Sequence, residues 1–69
     1  MKISAKNQIK GSVVEIIEGA VNGIVKLNIG SGNIVTAMIS MSSIRELGLT
    51  VGSPAYAVIK ASSVMVAVD

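Results

Sequence analysis

Ser42-Ser43-Ile44-Arg45-Glu46-Leu47-Gly48 decides the fold, because it is the only stretch of the chain that reads as a helix. Ser43 is placed to cap it, Glu46 stands three residues later to complete a capping box, and Gly48 can end it in a left-handed turn. One or two turns cannot stand alone in water, so this helix is an interruption in a chain built of strands. Arg45 reads as a solvated helix charge in preference to an anion ligand. Leu47 and Leu49 are placed to plug one end of a sheet.

Upstream of the helix, Ile34–Ser40 reads as a strand reached through Gly30-Ser31-Gly32-Asn33, a turn in which glycine supplies positive φ. The glycines do not make a phosphate loop, since no Gly-Lys-Ser/Thr and no following helix accompany them. Before the turn, Val21, Val25, Leu27 and Ile29 alternate with Asn22, Lys26 and Asn28, which is the pattern of a half-buried strand. Earlier still, Lys10–Glu18 carries Val13, Val14, Ile16 and Ile17 on both faces, the mark of a strand covered on two sides, one of them by another subunit. Downstream, Thr50-Val51-Gly52-Ser53-Pro54 is a turn, with proline tolerated at a strand start. Ala55–Ile59 and Val64–Val68 complete the count, with Lys60-Ala61-Ser62-Ser63 between them. The order predicts an all-β fold: a five-stranded OB-like barrel with one short helix between the third and fourth strands. Residues 1–69 read as one domain.

Composition bounds what such a domain can do. Of the 69 residues 51% are apolar, mean hydropathy is +0.71, and there is no Cys and no His. A chain this small hides a limited share of its surface, and it has neither disulfides nor soft metal ligands to compensate. Self-association is the route left, so an obligate oligomer is expected. The opening residues turn polar too early for a signal peptide and no apolar run approaches the ~20 residues of a membrane span, so a cytoplasmic protein without membrane contact is expected.

Catalysis lacks parts. No imidazole or thiol is available as base or nucleophile. The acids are Glu15, Glu18, Glu46 and Asp69, and the one close pair, Glu15 and Glu18, would face opposite sides of a strand. The sequence therefore predicts a protein that is not an enzyme, and the missing N and S ligands argue against a transition-metal cation. Nucleic-acid binding is the rival function for an OB-like barrel, but base stacking needs aromatic platforms and Tyr56 is the only aromatic residue. A net charge of +2 suits a small anion better than a phosphate backbone.

The donors for such an anion lie near the two ends. Ser4-Ala5-Lys6-Asn7-Gln8 sets a hydroxyl, an ammonium and two side-chain amides together with no carboxylate, and Lys60-Ala61-Ser62 repeats the three residue types in reverse order. Each has a plainer reading: Lys6 as a solvated lysine, Ser62 and Ser63 as turn residues, Asn22 as a surface residue. Lys60 lies between apolar runs, where an unpaired ammonium is costly, so an anion or a glutamate partner is expected beside it.

Four segments, Ser4-Ala5-Lys6-Asn7-Gln8-Ile9-Lys10-Gly11, Gly19-Ala20-Val21-Asn22, Glu46-Leu47-Gly48-Leu49 and Ile59-Lys60-Ala61-Ser62-Ser63-Val64, resemble the molbindins in order and spacing. These are small molybdate-binding proteins, and similar domains serve molybdate-responsive regulators and molybdate transporter ATPases. The resemblance implies a cytoplasmic protein that stores or buffers molybdate, or tungstate, without catalysis. It implies a homohexamer, a trimer of dimers, with the oxyanion at subunit interfaces. One class of site would use Ser4, Ala5 and Lys6 of one subunit and Lys60, Ala61 and Ser62 of another; a second would involve Gly19, Ala20, Val21 and Asn22. In this assignment the lysines neutralise charge, the serines donate hydroxyls and the alanines offer backbone N–H groups at close approach. The chain departs from many relatives in having Lys6 where they carry arginine, a point charge in place of a planar fork of donors. A pure assembly module is the remaining alternative.

Overall fold

The computed structural model covers residues 1–69 and consists of four strands, β1 (Asn7–Ile17), β2 (Asn22–Asn28), β3 (Ile34–Ser40) and β4 (Pro54–Ile59), with one helix, α1 (Met41–Glu46), between the third and fourth. The strands form a single antiparallel sheet in the order β3-β2-β1-β4. β1 is the spine. Its first half pairs with β4, from Asn7 opposite Ile59 to Ser12 opposite Pro54, and its second half pairs with β2, from Ser12 opposite Asn28 to Ile17 opposite Ile24. A bulge between Val13 and Glu15 marks the change of partner, where an extra residue bends the strand and increases its twist. Gly11 makes that change sterically possible: a Cβ there would collide with the backbone carbonyl of Asn28.

The inward residues of the curled sheet, Val13, Val25, Leu27 and Ala57, bury themselves against Met41 and Ile44 of α1. The helix starts earlier than the sequence suggests. Ser40, not Ser43, is the cap, and its Oγ accepts the Ser43 N–H at 3.1 Å. Three serines within four positions can each cap; only the earlier start turns both Met41 and Ile44, three apart, toward the core. Glu46 therefore closes the last turn instead of completing a capping box. The other end is as expected, with Gly48 at φ +63°. Its N–H bonds the Arg45 carbonyl at 3.0 Å and the Leu49 N–H reaches back to Ile44 at 3.1 Å, the pair of bonds that satisfies a helix C-terminus. Leu49 packs on the core, but Leu47, expected to plug the sheet with it, is 67% exposed. The Gly30–Asn33 segment is a hairpin turn, closed by Asn33 N–H to Gly30 C=O at 2.9 Å.

The expected fifth strand does not form within the chain. After β4 comes a single 3-10 turn (Ala61–Ser63), and Val64–Val68 then runs on without a ladder partner, with Met65, Val66 and Val68 more than 90% exposed. A strand is defined by its neighbour, and this segment reaches neither edge of its own sheet. The barrel is consequently open between β3 and β4. A cleft of about 620 Å³ lies along that seam, lined mostly by apolar side chains that include Val35, Ala37 and Ile39 of β3, Ala55 of β4, and Leu47 and Leu49. Only seven of 69 residues are buried, which leaves much of the apolar content on the surface of the single chain. Val14 and Ile17, on the second face of β1, are among the exposed residues. No helix is long and apolar enough to cross a membrane.

Candidate functional site

The pairing of β1 with β4 brings the two donor-rich ends together. Asn7 and Ile59 are the last partners of that ladder, so Lys6 and Lys60 leave the sheet side by side from the same edge. Strand partners lie about 5 Å apart at Cα, and the next residue along each strand is still a neighbour. This corrects one expectation. The segments Ser4–Lys6 and Lys60–Ser62 need no association of chains to become neighbours, because the register of a single sheet already places them together. Sequence spacing does not reveal this, because the partners Asn7 and Ile59 stand 52 positions apart along the chain.

The side chains around this edge divide into clamps and free donors. Asn7 Nδ2 donates to the Ile59 carbonyl at 3.1 Å, and Gln8 Nε2 donates to the Ala5 carbonyl at 2.6 Å. Both amides are thus spent on holding the backbone, one across the sheet and one within the leading segment. Each amide uses one of its two N–H groups in this way and keeps the other. On the other side, the Ser63 N–H bonds the Lys60 carbonyl at 2.9 Å and the Val64 N–H bonds Ala61 at 3.3 Å. A turn closed in this way leaves the N–H groups of Ala61 and Ser62 outside it, since the first amides of a helical turn have no partner within it. No intramolecular hydrogen bond occupies the hydroxyls of Ser4, Ser62 or Ser63.

Electrostatics at this edge are one-sided. The single salt bridge of the chain joins Lys26 to Glu15 at 3.3 Å, on the paired part of β1 and β2. Lys6 and Lys60 are exposed and have no carboxylate partner, so the glutamate that might have balanced Lys60 is not there. The register sets the two lysines at adjacent backbone positions, and two like charges held near each other favour an anion over a further cation. Donors are plentiful, and no carboxylate pairs with either lysine. Arg45 is exposed and unpaired in the last turn of α1, where a cation complements the carbonyl end of a helix.

The second candidate region, Gly19, Ala20, Val21 and Asn22, lies at the opposite end of β1, about 30 Å away along an eleven-residue strand at 3.2–3.4 Å per residue. It forms the turn into β2. Val21, read as part of the buried stripe, is instead 73% exposed while its carbonyl accepts the Met41 N–H at 2.8 Å and ties the turn to α1. A shallow hollow of about 160 Å³ includes Gly19 and Asn22 together with Glu18 and Met38, and does not include Ala20 or Val21. Glu18 is an acceptor that would face an oxyanion unfavourably, so the terminal edge is the better anion site of the two. No group of three His, Cys, Asp or Glu residues is positioned to hold a metal cation.

Residues 3–66 match the TOBE domain family. Over 69 residues the chain is 55% identical to a probable molybdenum-pterin-binding protein of Haemophilus influenzae, with all of both chains aligned. Its fold superposes on MopII from Clostridium pasteurianum with a TM-score of 0.91 at 43% identity, covering 97% of this chain and all of that one. It also superposes on the cytoplasmic molybdate-binding protein ModG in a molybdate-bound form, with a TM-score of 0.84 at 43% identity, over 88% of this chain and 43% of ModG.

Proposed function

The chain belongs to the TOBE domain family, in its molbindin-type molybdate-binding group, and from that premise we propose that it binds molybdate as the free oxyanion and serves to store or buffer it. Molybdate is a tetrahedral dianion that accepts hydrogen bonds and donates none. A site for it needs converging N–H and O–H donors, positive charge, and no acceptor turned toward the oxygens. The observation that carries the proposal is the edge beyond the Asn7–Ile59 pair, where Lys6 and Lys60 emerge together without a counter-ion. Lys6 and Lys60 neutralise the dianion, Ser4 and Ser62 donate hydroxyls, and the backbone at Ala5 and Ala61 admits the ligand closely because each side chain is a single methyl group. Gly19 and Asn22, with their neighbours Ala20 and Val21, form a second, weaker site. Tungstate shares the geometry and is bound as well.

The exposed apolar surface supports a homo-oligomer, for which we propose the hexameric trimer of dimers of the molbindins, acting in the cytoplasm without catalytic turnover. Several relatives are named for a molybdenum-pterin. A pterin is a flat heteroaromatic ring that stacks on aromatic side chains, and the one such residue here, Tyr56, lies within β4 opposite Lys10 and away from the lysine edge. The bare oxyanion is therefore the favoured ligand.

The test is to equilibrate the purified protein with molybdate, dialyse exhaustively, and measure retained molybdenum by mass spectrometry, with sulfate and a pterin as parallel ligands. Retention of molybdenum without pterin is expected. No retained molybdenum refutes the proposal and leaves a pure assembly module, and a salt-dependent shift of a labelled oligonucleotide would replace it with the nucleic-acid reading.

A further inference from the structure

Two side-chain amides at the lysine edge perform the same task on opposite strands. Gln8 Nε2 donates to the Ala5 carbonyl at 2.6 Å, and Asn7 Nδ2 donates to the Ile59 carbonyl at 3.1 Å. Ala5 and Ile59 each stand immediately before a lysine, Lys6 and Lys60. The gripped oxygen therefore belongs, in both cases, to the peptide group whose nitrogen is the lysine's own. No peptide bond of the chain is cis, and in a trans peptide the C=O and the N–H point to opposite sides of the bond. Holding the oxygen against an amide turns the lysine N–H the other way. No hydrogen bond within the chain occupies the backbone N–H of Lys6 or Lys60. Secondary structure alone does not force this arrangement, since Gln8 reaches back three residues to a segment outside the sheet and Asn7 reaches across to β4.

From this pairing we infer that Gln8 and Asn7 are positioning residues of the oxyanion edge: they set the peptide planes before Lys6 and Lys60 so that N–H groups, and not carbonyl oxygens, are offered to the ligand. The inference rests on the oxyanion reading of that edge and adds a source of selectivity to it. A backbone carbonyl only accepts hydrogen bonds. Toward molybdate, which has no proton to give, a freed carbonyl is repulsive. Toward hydrogenphosphate, which keeps an O–H at neutral pH, the same carbonyl is a partner. The serine hydroxyls serve either ion, because a hydroxyl both donates and accepts, and the lysine charges attract both. Discrimination between the two anions therefore falls on the backbone, and the amides hold it in the state that favours the fully deprotonated one.

Gln8→Met keeps the length of the side chain and removes its donor, and because Gln8 is exposed the core is untouched. The full-length protein is titrated calorimetrically with molybdate and with inorganic phosphate. Molybdate affinity is expected to fall about threefold to tenfold, the span of one ordinary hydrogen bond, while phosphate affinity holds or rises, so that the ratio between them narrows. Asn7→Leu, similar in shape, is expected to act in the same direction. Asn28→Ala is the control: Asn28 Oδ1 accepts the Gly30 N–H at 2.9 Å, an amide clamp on a turn away from the Lys6–Lys60 edge, and its loss should leave the ratio at the parental value. Unchanged molybdate affinity in Gln8→Met overturns the positioning role. So does an equal loss for both anions, which is what mere loosening of the fold would produce. A second readout needs no ligand. The order parameter of the Lys6 backbone N–H, from amide nitrogen relaxation, is expected to drop from about 0.85 to below about 0.6 in Gln8→Met with the melting temperature unchanged, and a parental value refutes the clamp. A parent protein that holds no molybdate would sink the oxyanion reading, while the relaxation data still decide whether Gln8 fixes the segment.

Discussion

Replacement of Lys60 by alanine isolates the charge contribution at the lysine edge. A hydrogen bond to a charged group contributes about 1.5–3 kcal/mol. Lys60 is exposed in the single chain, so solvent and salt weaken its field, with a screening length near 8 Å at physiological ionic strength. The lower end of the range therefore applies. About 1.5 kcal/mol corresponds to roughly a tenfold loss of molybdate affinity at 25 °C. Lys6→Ala should cost a similar factor, and the double variant about a hundredfold if the two lysines act on the same dianion without coupling. Lys26→Ala provides the control, since Lys26 is engaged by Glu15 at 3.3 Å and lies on the paired part of the sheet. Calorimetric titration at 0.05 and 0.3 M salt is the assay, with native mass spectrometry to show that assembly persists. The loss should shrink as salt rises. An affinity unchanged by Lys60→Ala in a fully assembled protein would show that the anion is held elsewhere, and an equal loss from Lys26→Ala would show that only net charge matters.

Gly11→Ala should prevent stable folding at 37 °C, because the added methyl meets the backbone of Asn28 and not a side chain that can move aside; soluble protein with parental thermal stability would contradict the close approach of β1 and β2 at the bulge. Ser40→Ala removes the helix cap and should destabilise by about 1 kcal/mol, or about 4–8 °C in Tm for a domain of this size, whereas Ser43→Ala should cost less because it keeps the capped backbone N–H and loses only the bond that Ser43 Oγ accepts from the Ser40 hydroxyl at 2.8 Å. Equal losses from the two would put the cap where the sequence alone suggested.

The parts of the structure legible in the sequence are those decided by near neighbours. The hairpin at Gly30–Asn33, the left-handed Gly48 and the proline at the start of β4 each follow from backbone restrictions acting over a few residues. The helix start was missed by three residues because Ser40, Ser42 and Ser43 are chemically equivalent caps and only the burial of Met41 and Ile44 chooses between them. The segment Val64–Val68 has the alternation of a strand, but alternation does not name a partner, and within this chain there is none. The candidate site divides the same way. Lys6, Lys60 and the serines stood out by chemical type, while the spending of Asn7 and Gln8 on backbone carbonyls follows from a register that sequence spacing does not reveal.

That register bears on the order in which the molecule forms. The hairpin of β2 and β3 closes over a few residues, whereas Asn7 meets Ile59 across a separation of 52, and contacts so distant along the chain carry the larger loop-closure entropy and tend to be made late. The Asn7–Ile59 pair next to the lysine edge therefore carries the largest loop-closure entropy of the sheet's pairings. The Ser4–Lys6 and Lys60–Ser62 segments become neighbours only once synthesis has passed Ile59 and the two distant strands have met.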